Sequence, residues 1–190
     1  MQTEATKKLF TVDEYYRMDE VGILAEDVRT ELINGEIIEI SPMGPRHAAS
    51  VSRINHLLFP LFAGNAVLRI QLPLRLNDYN EPQPDLSFVK VRRDFYELRH
   101  PGPADVFSIL EISDTSLRYD RDVKMGVYAS SRIPEFWVLD LVGRALLVFR
   151  EPSRGEYKTS LKFQPGDSVS MLAFSEIKIA VSDLLGAASE

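Results

Sequence analysis

The chain has 190 residues, 45% of them hydrophobic and 26% charged, and contains no cysteine. A chain of this size buries roughly 70% of its unfolded surface in a core without covalent staples, and the lack of thiols excludes disulfides, thiolate zinc sites and a cysteine nucleophile. The net charge of −6 comes wholly from residues 1–40, which carry 10 acidic and 4 basic side chains. That balance argues against a protein that coats nucleic acid, while leaving room for a local basic cleft.

No apolar run reaches the ~20 residues of a membrane span, and the opening MQTEATKKLFTVDEYY lacks the apolar stretch of a signal peptide. The chain therefore reads as one soluble, cytoplasmic domain over 1–190 with no membrane partner.

In chain order, Thr11 to Met18 has the form of a capped helix start, with Thr11 as N-cap and Glu14 completing a capping box. Glu31 to Ile40 reads as a β-hairpin turning at Asn34-Gly35. His47 to Phe62 carries Val51, Ile54, Leu57, Leu58 and Leu61 at helical spacing, with Pro60 near its end and Gly64 as a stop. Val67 to Leu76 alternates like a half-buried strand, and Leu86 to Val91 forms another. Val106 to Ile112 is apolar almost throughout, as in a strand covered on both faces. Residues 119–131 read as a helix, followed by strands at Glu135 to Asp140 and Ala145 to Arg150 about a turn at Val142-Gly143. Trp137 falls in the core. A polar strand near Tyr157 to Leu161, a loop at Pro165 to Asp167 and a short ending near Val181 to Leu185 complete the chain. Strand, helix, strand over 106–140 is a crossover unit, so the class is α/β (α+β) with a mixed sheet. No G-x-G-x-x-G or phosphate-binding loop occurs, which excludes a doubly wound dinucleotide fold.

The chemistry-bearing residues lie where these strands end. Asp85 follows Pro84 just before a strand, and Glu111 sits inside the apolar VFSILEI, where a carboxylate is costly unless a cation offsets it. Thirteen residues on, Lys124 lies on the next helix and can reach back to the same end of the sheet. Two carboxylates and a lysine suit Mg²⁺ (or Mn²⁺) chemistry on a phosphodiester. The bland readings are turn chemistry for Asp85, an exposed strand end for Glu111, and a helix pair of Lys124 with Asp120.

The run Pro84-Asp85 followed by Glu111-Ile112-Ser113 resembles the P-D…(D/E)-x-K motif of restriction-endonuclease-like nucleases, with Ser113 where that motif has its lysine. TELINGEI, SPMGPRHAASV, PQPDLSFV and ILEISDTSLRYDRDVKMGVYASSRIPEFWVLD together resemble the Uma-two family of endonucleases over about residues 10–185. The resemblance implies a restriction-endonuclease-like core with a central mixed sheet and extra β-hairpins. It also implies divalent metal dependence, DNA as substrate, and a lysine migrated to the following helix, matching Lys124. Asp85, Glu111 and Lys124 are then the catalytic set. Glu31 would be a further metal or water ligand beside Asp85 and Glu111, and His47 an accessory contact. Tyr128, one turn after Lys124, could position the ammonium, with core packing as its alternative. His56 and His100 have no partner spacing. Lys90, Arg92, Arg93 and Arg99, with Phe95 and Tyr96 interleaved, form either a phosphate-tracking stretch or a solvated loop. The functional expectation is a metal-dependent endonuclease working as a homodimer; the alternative is a catalytically silent nuclease fold serving as an interaction or oligomerisation module.

Overall fold

A computed structural model describes residues 6–114 and 120–187. Helix α1 (Val12–Glu20) begins at the expected cap: Thr11 Oγ1 accepts from the Glu14 N–H at 3.2 Å, and the Glu14 carboxylate accepts from the Thr11 N–H at 2.8 Å. Strands β1 (Thr30–Ile33) and β2 (Glu36–Glu39) pair antiparallel with Ile33 opposite Glu36. Asn34 and Gly35, at φ of 52° and 74°, make the left-handed turn that this hairpin requires. A Cβ at position 35 would stand 2.7 Å from Leu9 Cβ, so only glycine fits there.

Helix α2 (Pro45–Phe62) buries Val51, Ile54, Leu58 and Phe62 on one face. Strand β3 (Val67–Ile70) is shorter than the alternating pattern suggests. The alternation persists as burial, since Leu74 and Leu76 are inside, but the ladder stops at Gln71, whose φ is 51°, and Pro73 has no N–H to give it. Residues 74–82 fold back on themselves instead, with the Leu74 N–H on Pro82 O and the Leu76 N–H on Asn80 O, each 3.0 Å.

Strands β4 (Leu86–Val89), β5 (Val106–Ser113), β6 (Glu135–Asp140), β7 (Ala145–Ser153) and β8 (Glu156–Phe163) follow β3 in spatial order in one six-stranded sheet. All neighbours are antiparallel except β5 and β6, with Glu111 beside Val138. The connection between these two carries a π-helical turn, Asp120–Lys124, that runs into α3 (Met125–Ser130). Parallel neighbours need such a crossover. Tyr119 and the side chain of Asp120, and with it the Lys124–Asp120 pair, lie outside the described residues.

Strands β9 (Ser168–Met171) and β10 (Phe174–Ala180) form a second hairpin that the sequence reading did not anticipate, and α4 (Val181–Leu185) follows it. Its apolar residues, Val169, Met171, Phe174 and Ile179, are buried by packing with α2 and α4 on one face of the sheet, together with Phe62, Phe88 and Trp137. Val89, Ile109, Val127, Tyr128 and Phe136 form the core of the opposite face. The architecture is a mixed α+β fold on a central mixed sheet. Because side chains alternate along β5, Leu110 and Ile112 turn toward α2, and Glu111 turns with Ile109 toward α3.

Candidate active site

The antiparallel register sets Leu86 opposite Leu110, so one step further brings Asp85 beside Glu111. There side chains take over from the strand ladder. The Asp85 N–H donates to Glu111 Oε2 at 3.1 Å, and the Ile112 N–H donates to Asp85 Oδ2 at 2.8 Å. Each carboxylate is thereby oriented by the other's strand.

Lys124, delivered by the π-helical turn, places Nζ 3.1 Å from Glu111 Oε1 and 3.3 Å from Glu31 Oε2. Tyr128 comes from the next turn of the same helix and donates its hydroxyl to Glu111 Oε1 at 2.7 Å. Glu31, on β1, also accepts the Gln83 N–H at 3.0 Å. His47, in the first turn of α2, sets Nε2 2.9 Å from Asp85 Oδ1, and the Gln71 amide donates to the same oxygen at 3.1 Å. Every residue singled out from the sequence for this site therefore joins one connected network, and Gln71 and Gln83 belong to it as well. Gln83 stood beside Pro84-Asp85 in the sequence; Gln71 carried no signal beyond being a polar position in an alternating strand.

The network is nearly dry. Glu31 is 2% exposed, Glu111 3%, Lys124 7% and Asp85 9%. Burial alone would raise the Asp85 carboxyl, but it is held below its ordinary range by the His47 ring, through hydrogen bond and charge, and by the Ile112 N–H and Gln71 amide.

The hard oxygens of Asp85 and Glu111 suit a small divalent cation, which takes one or two carboxylates and keeps several waters. Among the described residues no group of three or more His, Cys, Asp or Glu is arranged to hold a metal ion. Glu31 Oε2 lies against the Lys124 ammonium and accepts the Gln83 N–H.

The other residues noted from the sequence lie apart from this network. His56 is exposed. His100 contacts the Tyr16 hydroxyl at 2.9 Å and stacks on its ring. In the basic loop, Arg92 pairs with Asp94 and Arg99 with Asp105, while the guanidiniums of Arg69, Arg92 and Arg99 lie 5.2–5.8 Å from the Tyr96 ring centroid. Among the described residues no helix is long and apolar enough to cross a membrane.

The fold is shared with a crystal structure described as a putative nuclease belonging to DUF820 from Anabaena variabilis. The TM-score is 0.67 at 19% identity, over 93% of this chain and 97% of that one. No curated protein matches the sequence. A family profile described as "Putative restriction endonuclease" matches residues 12–182, a span that includes Glu31, His47, Asp85, Glu111, Lys124 and Tyr128, and on that match the chain belongs to the Uma2 family.

Proposed function

We infer that the protein is a divalent-metal-dependent endonuclease that hydrolyses DNA phosphodiester bonds. The observation that carries this reading is Lys124. A buried ammonium 3.1 Å from Glu111, beside Asp85, restores on the following helix the cation that Ser113 fails to supply on the strand. Family membership and the shared fold support it, and restriction-endonuclease-like nucleases generally use divalent metals.

Asp85 and Glu111 would hold Mg²⁺ or Mn²⁺, which when bound polarises the phosphoryl oxygens and acidifies a coordinated water. The chain's own groups do the rest. Tyr128 and the Asp85 N–H hold the Glu111 carboxylate in place, while His47, Gln71 and the Ile112 N–H hold that of Asp85. Glu31 anchors Lys124, whose ammonium can stabilise charge developing on the phosphorus oxygens or orient the attacking water. Duplex cleavage on both strands is served by two such sites about a two-fold axis, so a homodimer belongs to this reading. Sedimentation of a monomer at micromolar concentration would remove that part of it.

The test is plasmid nicking with Mg²⁺ or Mn²⁺ by the wild type and by Glu111→Ala. Metal-dependent nicking that disappears in the variant supports the reading. Reproducible absence of cleavage by the wild type across DNA substrates replaces it with the non-catalytic interaction module.

A further inference from the structure

Arg29 is an exposed arginine just before β1, yet it is tightly held. Its two terminal nitrogens donate to the side-chain carbonyls of two glutamines, Nη1 to Gln71 Oε1 at 3.2 Å and Nη2 to Gln83 Oε1 at 3.0 Å. Both glutamines face the acidic network with their other polar groups. The Gln71 amide nitrogen donates to Asp85, the Gln83 backbone N–H to Glu31, and the Gln83 amide nitrogen to Thr30 O at 2.9 Å. The guanidinium thus sits one side chain away from two buried carboxylates and touches neither.

Three features distinguish this from an ordinary surface latch. An amide carbonyl orients a guanidinium without neutralising it, and among the described residues Arg29 has no carboxylate partner. Two of its five N–H donors are used by the glutamines, which leaves the rest of the fork for an incoming group. Gln71 also adopts φ 51°, a left-handed conformation unusual outside glycine, and it is the residue that links Arg29 to Asp85. Strain of this kind persists where surrounding contacts enforce it and concentrates at functional sites. A planar, oriented, uncompensated fork beside an acidic centre matches a phosphate, which takes two parallel N–H bonds.

We propose that Arg29 is a substrate-contacting residue that grips a backbone phosphate of the nucleic acid at the edge of the Asp85–Glu111 centre, with Gln71 and Gln83 as its positioning residues. The proposal rests on the nuclease reading for the identity of the ligand and adds to it the residue that binds the phosphate. It also explains how an acidic protein brings a polyanion to a cluster of carboxylates: the cation at the entrance is kept from pairing with them.

The experiment measures binding of a fluorescein-labelled DNA duplex by anisotropy in EDTA, across about 50–200 mM NaCl, next to nicking in Mn²⁺. Each phosphate contact contributes about 0.9 to the slope of log affinity against log salt. Arg29→Ala should lose about that much slope and about tenfold in affinity, with its melting temperature unchanged. Arg29→Lys should recover the slope. Gln83→Glu, which hands the guanidinium a carboxylate, should weaken binding as Arg29→Ala does. Nicking by the wild type together with unchanged slope and affinity in Arg29→Ala overturns the proposal and leaves the nuclease reading standing. Arg29-dependent binding by a wild type that never nicks sustains the phosphate contact and removes the nuclease reading. A wild type that binds no DNA also overturns the proposal.

Discussion

At the start of the parallel pair β5–β6 each carboxylate has its own guanidinium. Asp105 pairs with Arg99 at 2.7 Å just before β5, and Glu135, 1% exposed, accepts from Arg150 at 2.7 Å and from the Leu172 N–H at 2.9 Å. Near the far end of β5, Glu31, Asp85 and Glu111 gather around one lysine and one histidine. The first matches each carboxylate with a fixed guanidinium, whereas among the described residues the second gathers three carboxylates beside one lysine and one histidine. The first arrangement is closed and serves to join elements, since Arg150 also ties Ser170 of β9 to the sheet. The second holds its carboxylates in a nearly dry place with help from backbone N–H groups, amides and a tyrosine, and buried carboxylate oxygens favour an added cation.

The largest expected effects separate the two regions by activity. Lys124→Ala should lower cleavage by about two to four orders of magnitude and leave metal-induced thermal stabilisation intact or larger, because the variant removes a cation that competes for Glu111. Glu111→Ala should abolish cleavage and metal response together. Plasmid nicking beside thermal shifts reads both, and equal cleavage by wild type and Lys124→Ala would end the role assigned to that lysine.

Glu135→Ala should do the reverse. It leaves Arg150 without its carboxylate in a largely buried setting and should cost about 3 kcal/mol, read by urea denaturation, with metal response retained. A loss below 1 kcal/mol would show that this end of the sheet does not depend on its ion pair.

Tyr128→Phe removes one donor from buried Glu111 and keeps the packing of the ring against Phe136. We expect a stability loss of about 1–2 kcal/mol and weaker cleavage that the metal concentration does not restore. An unchanged rate would return Tyr128 to the core.

The smallest effect is one of pH at the closed end. The hydrogen bond from Arg99, outweighing the opposing effect of burial and aided by the Gly102 N–H, holds the Asp105 carboxyl below its ordinary range. A lowered native value stabilises the fold above the unfolded value near ~4 and loses that contribution as pH falls through the native one. Wild type and Asp105→Ala should therefore differ by about 0.5–1 kcal/mol at pH 7 and converge in acid; a difference that persists at pH 2 would assign the effect to packing.

Much of the fold was legible because its signals are local. The Thr11–Glu14 cap, the Asn34-Gly35 turn and the apolar β5 each depend on residues a few positions apart, and so does the helical spacing of α2. The early end of β3 and the β9–β10 hairpin were not legible. The first depends on Gln71 leaving the ladder, and the second on burial by α2 and α4, which sit far off in the chain.

The site divides in the same way. In the sequence Glu111 stood out as a carboxylate inside the apolar VFSILEI, while Asp85 and Lys124, ordinary turn and helix residues taken alone, were marked by the family resemblance. Only the tertiary structure decided that Glu31 meets Lys124, that His47 and Gln71 share one oxygen of Asp85, and that Arg29 is held by two glutamines with no carboxylate partner among the described residues. The physical reason is that a hydrogen bond is settled within a few tenths of an ångström and by angle, and no spacing rule carries that information across the 42 residues from Arg29 to Gln71 or the 54 to Gln83.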